Sequence, residues 1–178
     1  MSRNAIETCS SWTHPLPVPH FARLVHIVAE VCDVKIKRID HVGINVNDLA
    51  AAKAFFLNLG LEVLWEGEVE GELVDRVIGL DNVKSLVVML GVPGGETNVE
   101  LSQFFTPTDE GGIQQVPANT LGIRHISFAV EDIEAIVARL KANGTEPFSE
   151  IQDYEGQYKL CYIHGPEGII LEVAEQIA

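Results

Sequence analysis

The chain has 178 residues, 47% of them hydrophobic, which is enough for one compact domain or for two small modules that share a core. Its 26 acidic and 12 basic side chains give a formal net charge of −14, which repels phosphate backbones and anionic lipid surfaces and argues against nucleic-acid or membrane partners. The three cysteines lack the CxxC spacing of a zinc knuckle or redox motif. No stretch approaches a run of about 18 uncharged apolar residues, and the N-terminus carries Glu7, His14 and Pro15 where a signal peptide would have its apolar core. We therefore expect a reduced, cytoplasmic protein.

Residues 1–36 form a segment without a counterpart elsewhere in the chain. A stretch containing Pro15, Pro17 and Pro19 precedes an apolar run over 21–34 that has the composition of a helix. We predict an N-terminal extension and assign it no function. Its apolar run is suited to packing on a second copy of the chain.

The rest of the chain contains an internal repeat. DHVGINVNDL at 40–49 aligns without gaps on RHISFAVEDI at 124–133, an offset of 84 residues. VEL at 99–101 aligns on LEV at 171–173 at an offset of 72, so the first copy carries 12 extra residues. The repeat predicts two modules, joined by a loop-like linker rich in Pro and Gly; the boundaries are 37–105, 106–121 and 122–178.

Each copy is predicted to contain one strand, one helix and three further strands. In the first copy, Asp48 is placed to cap the helix and Gly60 to end it. The extra residues fall near 70–82, where 73–79 has the pattern of a short helix and a lid is expected. The predicted elements of this copy are a strand at 39–46, a helix at 49–59, and strands near 62–67, 83–90 and 97–104.

The second copy follows the same pattern. Asp132 is placed to cap its helix, and Asn143-Gly144 marks the end of that helix. The predicted elements are a strand at 123–130, a helix at 133–143, and strands near 147–152, 157–163 and 169–175. The predicted fold class is therefore α+β, with two paired βαβββ modules.

Four residues in the repeat have the chemistry of metal ligands. His41 and His125 occupy equivalent positions in the first strand of each copy, and Glu100 and Glu172 occupy equivalent positions in the last strand. A lone His on a strand is commonly a hydrogen-bonded structural residue. A carboxylate between apolar neighbours, however, needs a cation or a raised pKa. Two imidazoles and two carboxylates suit one divalent ion, and the sequence does not distinguish Zn, Ni, Co, Mn and Fe.

Strand alternation predicts which other side chains lie on the same strand faces as these four residues. They are small or polar, and we predict that Asn45, Asn98, Ser102 and Ser127 bind substrate, although small residues also suit a crowded sheet. Arg76, in the expected lid, is a candidate clamp for an anionic group because cations are scarce in this chain; the alternative is a solvated surface arginine.

The motifs IDHVGINVNDL, NVELSQF, GIRHISFAVEDIEAIVARLKANG and HGPEGIILEVAE resemble the vicinal oxygen chelate superfamily over about residues 37–176. That superfamily includes glyoxalase I, methylmalonyl-CoA epimerase, extradiol dioxygenases, fosfomycin-resistance transferases and bleomycin-binding proteins. The resemblance implies modules paired into a cup around a metal ion, completed within one chain or across a dimer. By this analogy we expect a homodimer, and the apolar N-terminal run supports that expectation.

The resemblance also narrows the expected chemistry. The order His, Glu, His, Glu is similar to glyoxalase I, whereas HVGINV and HISFAVEDIEA resemble the epimerases, which usually have Gln where this chain has Glu100. Asn45 stands where glyoxalase I often has an arginine for glutathione. Both enzymes remove a proton beside a carbonyl and form an enediolate.

We therefore expect a metal-dependent lyase or isomerase that acts on a small anionic or polyhydroxylated molecule. Glu100 and Glu172 are its candidate proton-transferring residues. The alternatives are a ring-cleaving dioxygenase with ferrous iron, or an antibiotic-binding resistance protein, a class whose members typically lack the metal ligands.

Overall fold

The computed structural model describes residues 36–178 except Ser149, so the predicted extension, apart from its last residue, lies outside the described residues. Every element described below lies within Arg38–Ala178. Within the described residues, no helix is long and apolar enough to cross a membrane.

The described residues form two successive modules of strands and helices, which confirms the α+β class. The elements of the first module are β1 (His41–Asn45), α1 (Leu49–Leu59), β2 (Glu62–Glu70), α2 (Glu72–Ile78), β3 (Lys84–Gly91) and β4 (Asn98–Thr106). Those of the second are β5 (His125–Ala129), α3 (Ile133–Ala142), β6 (Gln152–Tyr154), β7 (Tyr158–His164) and β8 (Ile170–Gln176).

Each module contributes one four-stranded sheet with the same topology. The strand orders are β1-β4-β3-β2 and β5-β8-β7-β6. The first and last strands of each module are parallel neighbours, and the other pairs are antiparallel. The strands that carry the repeated His and Glu residues therefore lie side by side.

The predicted helix ends are confirmed by their capping contacts. The carboxylate of Asp48 accepts the Ala51 N–H at 2.9 Å, and that of Asp132 accepts the Ala135 N–H at 2.8 Å. These bonds satisfy backbone donors that have no partner within the helix. Gly60 ends α1 with φ 117°, a left-handed conformation that glycine adopts without a steric penalty. The short helix expected in the insertion is α2.

The strand predicted at 147–152 is wrong. Pro147 makes only an isolated bridge to Ile163, and the regular strand β6 begins at Gln152. A proline has no N–H to donate to a continuing ladder. The register of β6 is set instead by the hairpin turn after it, where Glu155 and Gly156 both have positive φ.

One apolar core joins the two modules. Helices α1 and α3 pack against each other and against one face of each sheet, so that Phe56, Leu101, Leu140 and Leu171 are almost completely buried. Burying side chains of this size stabilises the fold by about 1.5–3 kcal/mol each. Because the core uses one face of each sheet, the opposite face is left for the predicted site residues.

Candidate metal and substrate site

The first half-site, His41 and Glu100, lies on the face of the first sheet that points away from the core. Val99 and Leu101 are buried, so strand alternation turns Glu100 between them to the other face. Gly43 is the residue of β1 directly opposite Glu100, and His41 is two residues before it on the same face. The two predicted ligands therefore share a face on neighbouring strands.

Asp40 gives His41 a defined hydrogen-bond partner. The Asp40 carboxylate lies 3.2 Å from His41 Nδ1 and 2.8 Å from an Arg38 nitrogen. Hydrogen bonds from these two side chains, chiefly His41, hold the pKa of Asp40 below its usual range. A carboxylate at Nδ1 favours the tautomer with its proton there, which leaves the Nε2 lone pair available to a metal.

The second half-site, His125 and Glu172, has the same construction. Glu172 lies between the buried residues Leu171 and Val173, and Ser127 of β5 is opposite it. His125 Nε2 is 3.3 Å from Glu172 Oε2, with side-chain exposures of 39% and 17%. The imidazole and the carboxylate are thus already side by side.

The His and the Glu have the same strand register in both half-sites. In each module the His lies opposite the residue two positions before the Glu: His41 opposite Asn98, and His125 opposite Ile170. Each half-site supplies one imidazole and one carboxylate. Within the described part of the chain, no three or more His, Cys, Asp or Glu side chains gather closely enough to hold a metal ion.

The predicted substrate-binding residues fall into two groups. Asn45 and Asn98 lie on the strands and face of the first half-site, where Ser102 Oγ is 3.4 Å from Glu100 Oε1; Ser127 is opposite Glu172. Arg76 lies on α2, where it is 68% exposed and pairs with Glu72 at 3.4 Å. The four small polar residues therefore accompany the half-sites, whereas Arg76 is a solvated member of an ion pair.

An aromatic row borders the second half-site. Tyr162 is opposite Glu172 on β7, and its ring centroid is 5.1 Å from that of His125. Phe148 meets Tyr162 edge to face at 6.1 Å and stacks on His164 at 3.7 Å. Aromatic contacts of this kind fix ring orientations. Tyr162 therefore restricts the imidazole that it touches, and His164 belongs to the end of this row.

Glu167 was not singled out by the sequence analysis. It lies in the turn before β8 and has φ 53°, a conformation that costs a non-glycine residue free energy. Its carboxylate accepts the N–H of Asn47 at 2.8 Å and that of Asp48 at 2.7 Å, at the start of α1. These hydrogen bonds connect the turn before β8, in the second module, to the segment between β1 and α1 in the first module.

Two cavities are lined in part by Glu167. One, of about 450 Å³, lies beside Asn45 and is closed in part by Leu80, which follows α2, and by the linker. The other, of about 510 Å³, is a cleft lined by the edge strands β1 and β5, by the linker and by the turn before β8; His125 is among its lining residues. Both volumes suit small-molecule ligands.

Comparison with known proteins gives consistent results. A family model described as the glyoxalase/bleomycin resistance protein/dioxygenase superfamily matches residues 38–173. The uncharacterised protein YwbC of Bacillus subtilis is 31% identical over 138 residues, which cover 76% of this chain and 95% of YwbC.

Among solved structures, a glyoxalase family protein from Bacillus cereus is 39% identical, with a TM-score of 0.78 over 82% of this chain and 98% of that one. The trypanothione-dependent glyoxalase I of Leishmania major shares the fold, with a TM-score of 0.55 at 23% identity over 79% of this chain and 87% of that one.

Proposed function

The chain belongs to the glyoxalase/bleomycin resistance protein/dioxygenase superfamily, and from that premise we propose that it is a metal-dependent lyase or isomerase of the glyoxalase or epimerase type. The observation that carries the proposal is the His–Glu pair repeated in identical register on the open faces of both sheets. Two unrelated polar pairs have no reason to share a register.

The proposed metal ligands are His41, Glu100, His125 and Glu172. Their donor set, two imidazole nitrogens and two carboxylates, fits a divalent transition metal. A metal bound there would act as a Lewis acid toward a substrate carbonyl or hydroxyl oxygen. Asp40 would orient the His41 imidazole and Tyr162 that of His125, as supporting groups do around metal-binding histidines.

We infer that the four ligands come together between two copies of the chain. Each half-site supplies only two of them, so a second pair is needed. Leu64, Trp65 and Val77 of the first module are apolar and between 50% and 77% exposed. Apolar side chains exposed in this way are typical of surfaces that a partner covers.

The proposed reaction is transfer of a carbon-bound proton next to a carbonyl. Glu100 and Glu172 are the candidate bases, since each carboxylate lies on the open face of its sheet between buried residues. A base works best when its pKa is near the working pH, and proximity to the substrate proton is the first requirement. Asn45, Asn98, Ser102 and Ser127 would bind the polar groups of the substrate.

Elemental analysis of the purified protein tests metal binding, and solvent-deuterium exchange into 2-oxo, 2-hydroxy and acyl-CoA compounds tests the reaction. We expect one divalent ion per set of four ligands and deuterium at the carbon beside the carbonyl. Glu100→Gln and Glu172→Gln separate the roles: metal retained with turnover lost identifies a base. Protein that contains no metal would instead favour a binding protein, and O₂ uptake with a catechol would favour a dioxygenase.

Mixing two inactive variants tests whether the site is shared. One variant carries His41→Ala and Glu100→Ala, and the other His125→Ala and Glu172→Ala. In a mixed dimer with shared sites, the intact halves of the two chains meet once, so metal binding and activity return on mixing. With sites inside single chains, every chain stays defective and nothing returns.

A further inference from the structure

Arg124, the residue immediately before β5, differs from the other arginines of the described chain. Arg38 and Arg76 pair with acidic side chains, and Arg139 donates to the Leu59 carbonyl at 2.8 Å. Among the described residues, Arg124 forms neither an ion pair nor a hydrogen bond; its Nε is buried without an acceptor, while the residue as a whole is partly exposed. In a chain with 26 acidic residues, an unpaired guanidinium is unexpected.

A buried guanidinium N–H without an acceptor is unfavourable, because the group gives up water and receives nothing in exchange. The guanidinium remains charged at every physiological pH, so Arg124 cannot relieve the cost by losing a proton. Its donors form a planar fork that matches two oxygens of a carboxylate or phosphate. A carboxylate or phosphate group would supply acceptors that match this fork.

The position of Arg124 shows where that oxyanion would bind. Arg124 lines the cleft of about 510 Å³ together with His125, Gln114 and Thr120. The sole carboxylate among the described lining residues is that of Glu167, and its oxygens already accept two backbone N–H groups. The cleft thus offers one free cation beside the imidazole of the second half-site.

We propose that Arg124 binds the carboxylate or phosphate group of the substrate and that it, not Arg76, is the anion-recognition residue. This assignment rests on the proposed function for the identity of the ligand as substrate. An anionic group held by Arg124 fixes one end of the molecule, and the neighbouring His125 places the other end at the proposed metal site. The substrate class is then a small monoanion or dianion with an oxygen function near its acidic group.

The test follows the side-chain Nε–H resonance of Arg124 in ¹⁵N-labelled full-length protein while inorganic phosphate or acetate is added. The resonance is assigned by its loss in Arg124→Gln. We expect a saturable shift in the wild type, with the stronger of the two probes indicating phosphate or carboxylate. In Arg124→Gln the Kd for that probe should rise about tenfold to a hundredfold, the range of a charge-assisted hydrogen bond.

Two variants act as controls. Arg76→Gln removes an exposed arginine and should leave the Kd unchanged. Arg124→Lys keeps the charge but lacks the fork, so it should weaken binding by less than Arg124→Gln, which also provides a result if the glutamine variant does not fold. An Nε–H that does not respond to either probe, or an unchanged Kd in Arg124→Gln, would overturn the proposal.

Metal content measured on the same samples separates this inference from the proposed function. Protein that holds metal but shows no anion response at Arg124 contradicts the inference alone. Protein that holds no metal but binds the anion at Arg124 contradicts the proposed function alone.

Discussion

Glu167 makes two opposing contributions to the free energy of unfolding, and substitutions at this position separate them. Its carboxylate stabilises the fold by accepting the Asn47 and Asp48 N–H groups, a capping-type contact of about 1 kcal/mol. Its φ of 53° destabilises the fold by about 1–2 kcal/mol for any residue with a Cβ. Glu167→Ala loses the contact and keeps the strain. Glu167→Gly loses the contact and removes the strain.

We therefore expect Glu167→Ala to lower the free energy of unfolding by about 1 kcal/mol, and Glu167→Gly to be about 1 kcal/mol more stable than the alanine variant. For a chain of 178 residues, each kcal/mol corresponds to about 2–4 °C in Tm. Urea unfolding followed by circular dichroism gives the free energies, and amide exchange at Asn47 and Asp48 reports the contact directly.

A matched control is Glu175→Ala, because Glu175 accepts the Ile133 N–H at 3.0 Å within the second module alone. It should destabilise the protein without faster exchange at Asn47. If Glu167→Gly proves no more stable than Glu167→Ala, the strain assigned to this turn is absent. If exchange at Asn47 and Asp48 is unchanged in both variants, the contact between the modules is absent.

Three further predictions follow from single positions. Burial raises the pKa of the Cys161 thiol above its ordinary value of about 8.5, so unfolding releases its proton and stability should fall as pH rises above that value. Cys161→Ala should reduce this slope, by at most about 1.4 kcal/mol per pH unit, when unfolding is measured between pH 8 and pH 10. A Cβ at Gly67 would lie 2.6 Å from the Trp65 ring, which is half-exposed and free to move. Gly67→Ala should therefore shift Trp65 emission in a Trp12→Phe background while changing stability by less than about 0.5 kcal/mol; unshifted emission would contradict the contact. A Cβ at Gly43 would stop 3.9 Å from the facing carboxylate, so Gly43→Ala should keep metal affinity, whereas Gly43→Phe should reduce it in a titration with Co²⁺.

The repeat explains how much of this architecture could be predicted from sequence. The two offsets, 84 residues for the His and 72 for the Glu, map one His–Glu pair on the other and require equivalent strands, and both pairs take the same register. The caps at Asp48 and Asp132 were predictable because a capping contact depends on residues three apart. These features depend on local pattern or on its repetition.

Features set by contacts between distant segments could not be predicted in this way. Glu167 meets Asn47 across 120 residues, and nothing in the turn sequence identifies its partner. Charge alone, which is all that the sequence provides, does not distinguish Arg124 from Arg76 as an anion-binding residue. Which arginine lacks a partner depends on packing, and in the structure Arg76 has Glu72 within reach on its own helix.

The two half-sites of the repeat are not identical. The surroundings of Glu100 and Glu172 differ, and this difference bears on the roles proposed for them. Glu100 is opposite Gly43, which has no side chain to cover it, on β1 and opposite Met89 on β3. Glu172 is opposite Ser127 on one side and Tyr162 on the other, with His125 Nε2 3.3 Å away. A proton-transferring carboxylate must meet the substrate, whereas a carboxylate that only ligates a metal benefits from being held in place. Under the proposed function, this difference favours Glu100 as the base and Glu172 as the ligand that is held in place.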